Sequence, residues 1–457
     1  MSYEKEPMNI PFSNALDISI NNEKLALLNT NNEPTIDIPK NSINDLIIQL
    51  NDASTEQELL HILEAMRSYS EIYKIEITPT LINYNFIPNL MNFYSCDNMR
   101  IQHCASLLVQ SLSFSEKSDV IKMLLDNNFC DILFFSFPIE NLEILEAKLN
   151  CLRNILIDFD SAKAYPFKNE NALKSLMNVL TSSNISENNR FIVISILSLI
   201  MKMECEFCLK LPILEFCISC LNNPDFQLYW ASLISIPTSL IVNSEISNFI
   251  FQKTDLLKIC QEFLRSENEK LIEASIRCVG THFLYNNTNI CIDYRKIMKC
   301  ALSVNCDLSY ISLWLLSNAM ASNSFMISLI EMNGNIYQIL NQVYEGDYKR
   351  KCKIEACRCM VSLITQSSKE QIAKCLQFHF LGSLMQLIEE EENDVQLIRS
   401  SINSIVKLLR MPDKTLQEES WKQFSSINGS EVIENLISSE NQVISVVASE
   451  FKKRIMK

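Results

Sequence analysis

Five glycines in 457 residues, at positions 280, 334, 346, 382 and 429, constrain this chain more than any other feature. An average chain carries about 7% glycine. Phosphate-cradling loops, dinucleotide fingerprints and tight hairpins use glycine because it enters left-handed and strained backbone without steric cost. Those devices are nearly excluded here. The net charge of −14 argues against a wholesale grip on nucleic acid and favours basic partners. No apolar run reaches the ~20 residues needed to span a bilayer; the largely apolar Phe191 to Met201 has only 11, so no membrane partner is expected. The opening MSYEKEPMNIPFSN lacks the basic and apolar regions of a secretory leader. The 17 cysteines sit largely on apolar positions of helical patterns and read as small core residues in a reducing compartment.

A weak internal repeat supplies the architecture. NFIPNLMNF from Asn85, NFCDILFFS from Asn128 and NALKSLMNVL from Asn171 each place a turn-forming residue before an amphipathic helix. Similar openings lie near Pro212, Asp255, Asp293, Gly334 and His379, at spacings of 43, 43, 41, 43, 38, 41 and 45 residues. A period near 42 lies in the ~40–47 range of armadillo and HEAT repeats. Asparagine tolerates left-handed backbone best after glycine, so Asn85, Asn128 and Asn171 are expected at left-handed turns. About twenty residues past each opening comes a second helical stretch: IQHCASLLVQSLS, LEAKLNCLRNILI, KLIEASIRCVGTHFL, LSYISLWLLSNAM and KIEACRCMVSLI. Each has apolar residues at i, i+3, i+4 and i+7, which is one buried stripe. The expected fold class is an all-α solenoid over residues 43–457. The polar, Asn-rich residues 1–42 precede it and are expected to be disordered.

SLWLLSNAMASN (312–323) resembles the third-helix motif of the importin-α family, with Trp314 and Asn318 four apart. KIEACRCMVSLITQSSKEQIAKCL (353–376) is similar to the next repeat of that family. It keeps Glu355, Ala356, Glu370, Gln371 and Ile372, with Arg358 in place of Trp and Ser362 in place of Asn. SIRCVGTHF resembles the sixth repeat through Arg277, Val279 and Gly280, with Thr281 in place of Asn. INGSEVIENLISSENQVISVVASEF (427–451) resembles the closing repeat. In the first half NCLRNILIDFDSAKAY keeps Asn154 and Asp158, with Asn150 replacing Trp. The paired positions elsewhere are Ser106 and Gln110, Ile194 and Ser198, and Leu233 and Pro237.

The resemblance implies a right-handed superhelical solenoid of about nine to ten armadillo repeats. It implies a nuclear transport adaptor, neither enzyme nor cofactor protein, moving between cytoplasm and nucleus. Its partners would be proteins carrying basic nuclear localisation signals. Trp and Asn at i and i+4 share one helix face, so stacked helices present indoles alternating with amides. The amides hold an extended peptide backbone, the indoles flank Lys and Arg stems, and carboxylates take their charge. By resemblance, the peptide-binding residues are Asn154, Asp158, Arg277, Trp314, Asn318 and Glu355. Importin-α proteins begin with a basic segment that binds importin-β. Residues 1–42 hold only Lys5, Lys24 and Lys40 and no arginine, so the expectation is that the chain engages importin-β by a non-standard route, is truncated, or does not shuttle by the standard route. The alternative is an armadillo scaffold that keeps the fold without the signal code.

Other features read as structure. Trp230 and Trp421 are expected to pack between helices. Cys205-Glu-Phe-Cys208 and Cys217-Ile-Ser-Cys220 have a zinc-ribbon spacing, but the second pair sits in an apolar helical run with no glycine nearby, so no metal is expected. His61, His103, His282 and His379 are scattered and form no nucleophilic constellation. The run Glu389 to Glu392 reads as a solvated turn.

Overall fold

A computed structural model describes residues 43–73, 86–113, 119–138, 140–286, 289–390 and 394–455. Every regular element among them is helical. The expectations for residues 1–42 and for the turn at Asn85 lie outside the described residues. The chain divides into two compact units, Met1–Cys220 and Leu221–Lys457.

The repeat is visible as two shorter helices followed by a third. We label the third helices α1 to α10. In the first unit they are α1 (Glu56–Tyr73), α2 (Met99–Leu112), α3 (Leu142–Asp158) and α4 (Glu187–Met201). In the second they are α5 (Trp230–Ser239), α6 (Glu269–Tyr285), α7 (Cys306–Ser322), α8 (Arg350–Gln366), α9 (Val395–Leu409) and α10 (Gln442–Ile455). Within each unit every third helix packs on the next, and shorter helices back them. All five expected second stretches fall on α2, α3, α6, α7 and α8. Each unit is an all-α solenoid of armadillo type. Each repeat has an apolar face too wide to bury alone, and stacking neighbours covers it.

Asparagine serves this fold mainly as a helix cap. The side chains of Asn98, Asn141, Asn268 and Asn305 accept from backbone N–H groups in the first turns of α2, α3, α6 and α7. Each such cap is worth about 1 kcal/mol over alanine, because it satisfies a donor the helix leaves open. Left-handed backbone falls at Asn128 (φ 64°), His379 (φ 56°) and Asn428 (φ 52°), each directly before a second helix, and at no described glycine. Asn128 meets the expectation. Asn171 does not: it sits inside the first turn of the helix Glu170–Thr181, capped by Asn169, so no left-handed turn is needed there. Pro212 likewise lies inside the helix Phe207–Leu221 and does not open one.

Polar groups also tie repeats together. Lys148 on α3 is fully buried; its ammonium donates to the Tyr94 carbonyl (2.9 Å), the Ser136 carbonyl (2.9 Å) and the Ser136 hydroxyl (3.0 Å). Burial pulls its pKa down to about 8. Eleven of the 17 cysteines are buried and none forms a disulfide. Burial pushes Cys151 and Cys375 up to about 12, so these thiols stay protonated and behave as core. Cys217 and Cys220 are buried, whereas Cys205 and Cys208 are partly or fully exposed. Trp230 stacks on Phe263 at 4.8 Å, and the Trp421 indole N–H donates to the Leu409 carbonyl at 3.1 Å. Both tryptophans therefore pack as expected. Glu389 and Glu390 end an exposed helix turn, while Glu391 and Glu392 lie outside the described residues.

Candidate functional site

Four of the six sequence-predicted site residues come together on consecutive helices of the second unit. Arg277 lies on α6, Trp314 and Asn318 on α7, and Glu355 on α8. Asn154 and Asp158 lie on α3 of the first unit.

Trp314 is 3% exposed. Its ring lies against Gly280 of α6, where a Cβ would meet Cζ3 at 2.2 Å and Cε3 at 2.8 Å. Glycine is required here for close approach, not for backbone angle. The indole N–H has no acceptor. The indole thus lies in the seam between two third helices. Asn154 is 1% exposed, and its Nδ2 donates to the Ser113 hydroxyl at 3.1 Å. That bond joins α3 to the residue just after α2, so the amide is turned between repeats. Asp158 is exposed at the end of α3.

Much of the rest of the array is buried too: Ser106, Ile194, Ser198, Leu233, Pro237 and Thr281 are buried, whereas Gln110, Asn150 and Ser362 are half-buried. An i, i+4 pair shares a helix face, but a third helix touches the helices before and after it. In this chain the pairs fall largely into those contacts.

Several charges beside these residues are paired within the chain. Arg277 donates to Glu273 through Nη2 (2.7 Å) and Nε (3.2 Å). Lys351 pairs with Asp307 across α7 and α8 at 2.5 Å. Arg358, standing where the family has Trp, reaches Glu355 from Nε at 3.2 Å and Asp394 from Nη2. Asp394 also caps α9 by accepting the Leu397 N–H at 2.9 Å. Glu355 is 5% exposed, and its Oε2 has no partner. Burial pushes its pKa up to about 7; Arg358 opposes that shift and Asp394 adds to it.

Two groups on α7 remain available. Tyr310 is half-buried, one turn before Trp314, with the Lys351 ammonium 5.3 Å from its ring centroid. Burial pushes its hydroxyl above the usual phenol value, with Glu355 adding to the effect. Asn318 is part-exposed, yet its Nδ2 is turned inward with no acceptor. Tyr310, Trp314 and Asn318 lie at i, i+4 and i+8, so Tyr310 was legible from the spacing that singled out the other two. Asp394 was not: it lies 36 residues from Arg358.

His282 is a core histidine. Its Nδ1 is 2.7 Å from the Ser247 hydroxyl, its ring lies 4.3 Å from that of Phe251, and burial lowers its pKa to about 4. Among the described residues no group of three His, Cys, Asp or Glu side chains is arranged to hold a metal, and no helix is long and apolar enough to cross a membrane.

Glu355 makes stability depend on pH. Its folded pKa lies above its value of 4.5 in an unfolded chain, so the folded protein holds a proton that the unfolded chain releases. That contribution is fully present below pH 4.5 and is lost as pH rises through about 7; at most it amounts to about 3 kcal/mol. Glu355→Gln should therefore flatten the fall in urea midpoint between pH 5 and 8. An unchanged slope would show that Glu355 is not the group responsible.

No family model matches the sequence, and no curated protein matches it. Solved structures do match the fold. An engineered protein is similar at a TM-score of 0.67 and 13% identity, over 91% of this chain and 99% of that one. A structure from work on a phosphorylation switch between cadherin and beta-catenin is similar at a TM-score of 0.53 and 12% identity, over 91% and 99%. A designed armadillo repeat protein in complex with the peptide (KR)4 aligns over 53% of this chain and 99% of that one, at a TM-score of 0.45 and 15% identity. At these identities the first two likenesses establish the fold alone.

Proposed function

We propose that this chain is a protein-interaction solenoid that takes an extended polypeptide along the third helices of the second unit. The observation that carries this reading is Asn318. A part-exposed amide without an acceptor for its N–H can turn about its last side-chain bond and offer either end to a peptide backbone. Tyr310, one turn before Trp314 on the same helix, gives the bound chain an amphipathic flank. Recognition then rests on backbone and shape. The carboxylates that would read lysines and arginines, Glu273, Asp307, Glu355 and Asp394, are each held by a cation of the chain.

A second reading is the importin-α-like adaptor for basic localisation signals. The exposed carboxylate of Asp158 and the net charge of −14 favour it. It would place the chain in cytoplasm and nucleus and would bring importin-β in as a partner.

A peptide library displayed on phage and panned against the full chain separates the two. The first reading expects selected peptides without a run of basic residues, losing roughly tenfold in affinity on Asn318→Ala, about the value of one well-made hydrogen bond. A consensus of consecutive lysines and arginines, bound more weakly in salt and after Asp158→Lys, would establish the second. No enriched peptide, or affinity indifferent to Asn318, would sink the first.

A further inference from the structure

We propose that Cys306 and Cys352 form a redox-closed clasp between α7 and α8. Cys306 opens α7 and Cys352 lies in the first turn of α8, and their sulfurs stand 3.7 Å apart. The Cys352 thiol also lies 3.5 Å from the Cys306 carbonyl. The adjoining residues are paired as well: Lys351 holds Asp307 at 2.5 Å, fixing the two helix ends in register beside the sulfurs. A disulfide needs ~2.05 Å between sulfurs, so closing this pair asks the two side chains to bring their sulfurs together from 3.7 Å.

Access separates this pair from the other cysteines. Cys306 is part-exposed and Cys352 is buried, so an oxidant meets one sulfur and the second waits behind it. Cys260 and Cys278 also interact, but both are 0% exposed and offer no entry.

The oxidant is a small-molecule disulfide such as oxidised glutathione. The Cys306 thiolate attacks one of its sulfurs, forming a mixed disulfide and releasing one glutathione thiolate. The Cys352 thiolate then attacks the Cys306 sulfur, closing the protein disulfide and expelling the second glutathione thiolate. The two protons lost by the cysteines end on the two glutathiones. One disulfide is reduced and one is formed.

The consequence falls on the helices that carry Tyr310, Asn318 and Glu355. Closing the 46-residue separation removes freedom from the unfolded chain and fixes the ends of α7 and α8 to each other. The inference stands whatever ligand the solenoid takes.

The test is to incubate the full chain with oxidised glutathione under native conditions, alkylate it, digest it without reduction and identify linked peptides by mass spectrometry. The expected result is a dominant Cys306–Cys352 link that dithiothreitol reverses, with a higher urea midpoint than the reduced protein. Cys306→Ser, checked for unchanged helicity by circular dichroism, should show neither. Cys352→Ser should instead accumulate a stable glutathione adduct at Cys306. A wild-type protein that keeps both thiols free, or that stops at the Cys306 adduct, would overturn the clasp.

Discussion

Trp314→Ala lowers the stability of the second unit by about 3–5 kcal/mol, the usual cost of truncating a buried tryptophan. The residue is 3% exposed and lies against Gly280, so alanine leaves a void that α6 and α7 cannot close without moving. The urea midpoint should fall with helicity retained under native conditions. The reverse insertion, Gly280→Ala, should destabilise through overpacking, because the new Cβ would meet the indole at 2.2 Å. If Trp314→Ala instead left the midpoint unchanged and weakened only peptide binding, the indole would be a ligand wall, and the seam described above would be wrong.

Arg358→Ala is the second large effect, and its size depends on pH. Arg358 pairs with Glu355 and Asp394 at once. Removing one partner of a buried ion pair costs about 3–5 kcal/mol, because the other charge is left without compensation. Glu355 has a partial escape. Its pKa is already pushed up to about 7, and without the guanidinium it rises further, so the carboxyl protonates near neutrality. The loss should therefore approach the upper figure at pH 8.5 and shrink at pH 6. Paired denaturation curves at those two pH values check this, and equal losses would show that Glu355 does not respond to Arg358. Because the Asp394 carboxylate is released, the variant should also gain salt-sensitive affinity for a basic peptide if the face can bind one.

Much of the fold was legible in the residues. Glycine scarcity, a period near 42 and stripes at helical spacing led to an all-α repeat solenoid, and the stretches read as third helices are third helices. The role of the asparagines was half legible. Asn128 takes the left-handed position, but Asn98, Asn141, Asn169, Asn268 and Asn305 cap helices, a signal plainly present in a chain so rich in asparagine. The candidate site was less legible. The Trp314 and Asn318 pair was visible as a pair, and Tyr310 completes it one turn earlier.

The sequence by itself determined which residues share a face of each third helix, because that follows from 3.6 residues per turn and nothing else. It could not determine what that face meets. A third helix in a stack has neighbours on two sides, and its apolar stripe exceeds a quarter of its circumference, so the same i, i+4 pair can line an open face or a seam. Only the tertiary structure decided that Trp314 and Asn154 go into seams while Asn318 stays part-exposed. Only it set Arg358 against Asp394 and Cys306 against Cys352, partners 36 and 46 residues apart. Those pairings depend on how closely successive helices approach, and the packing of whole side chains sets that distance.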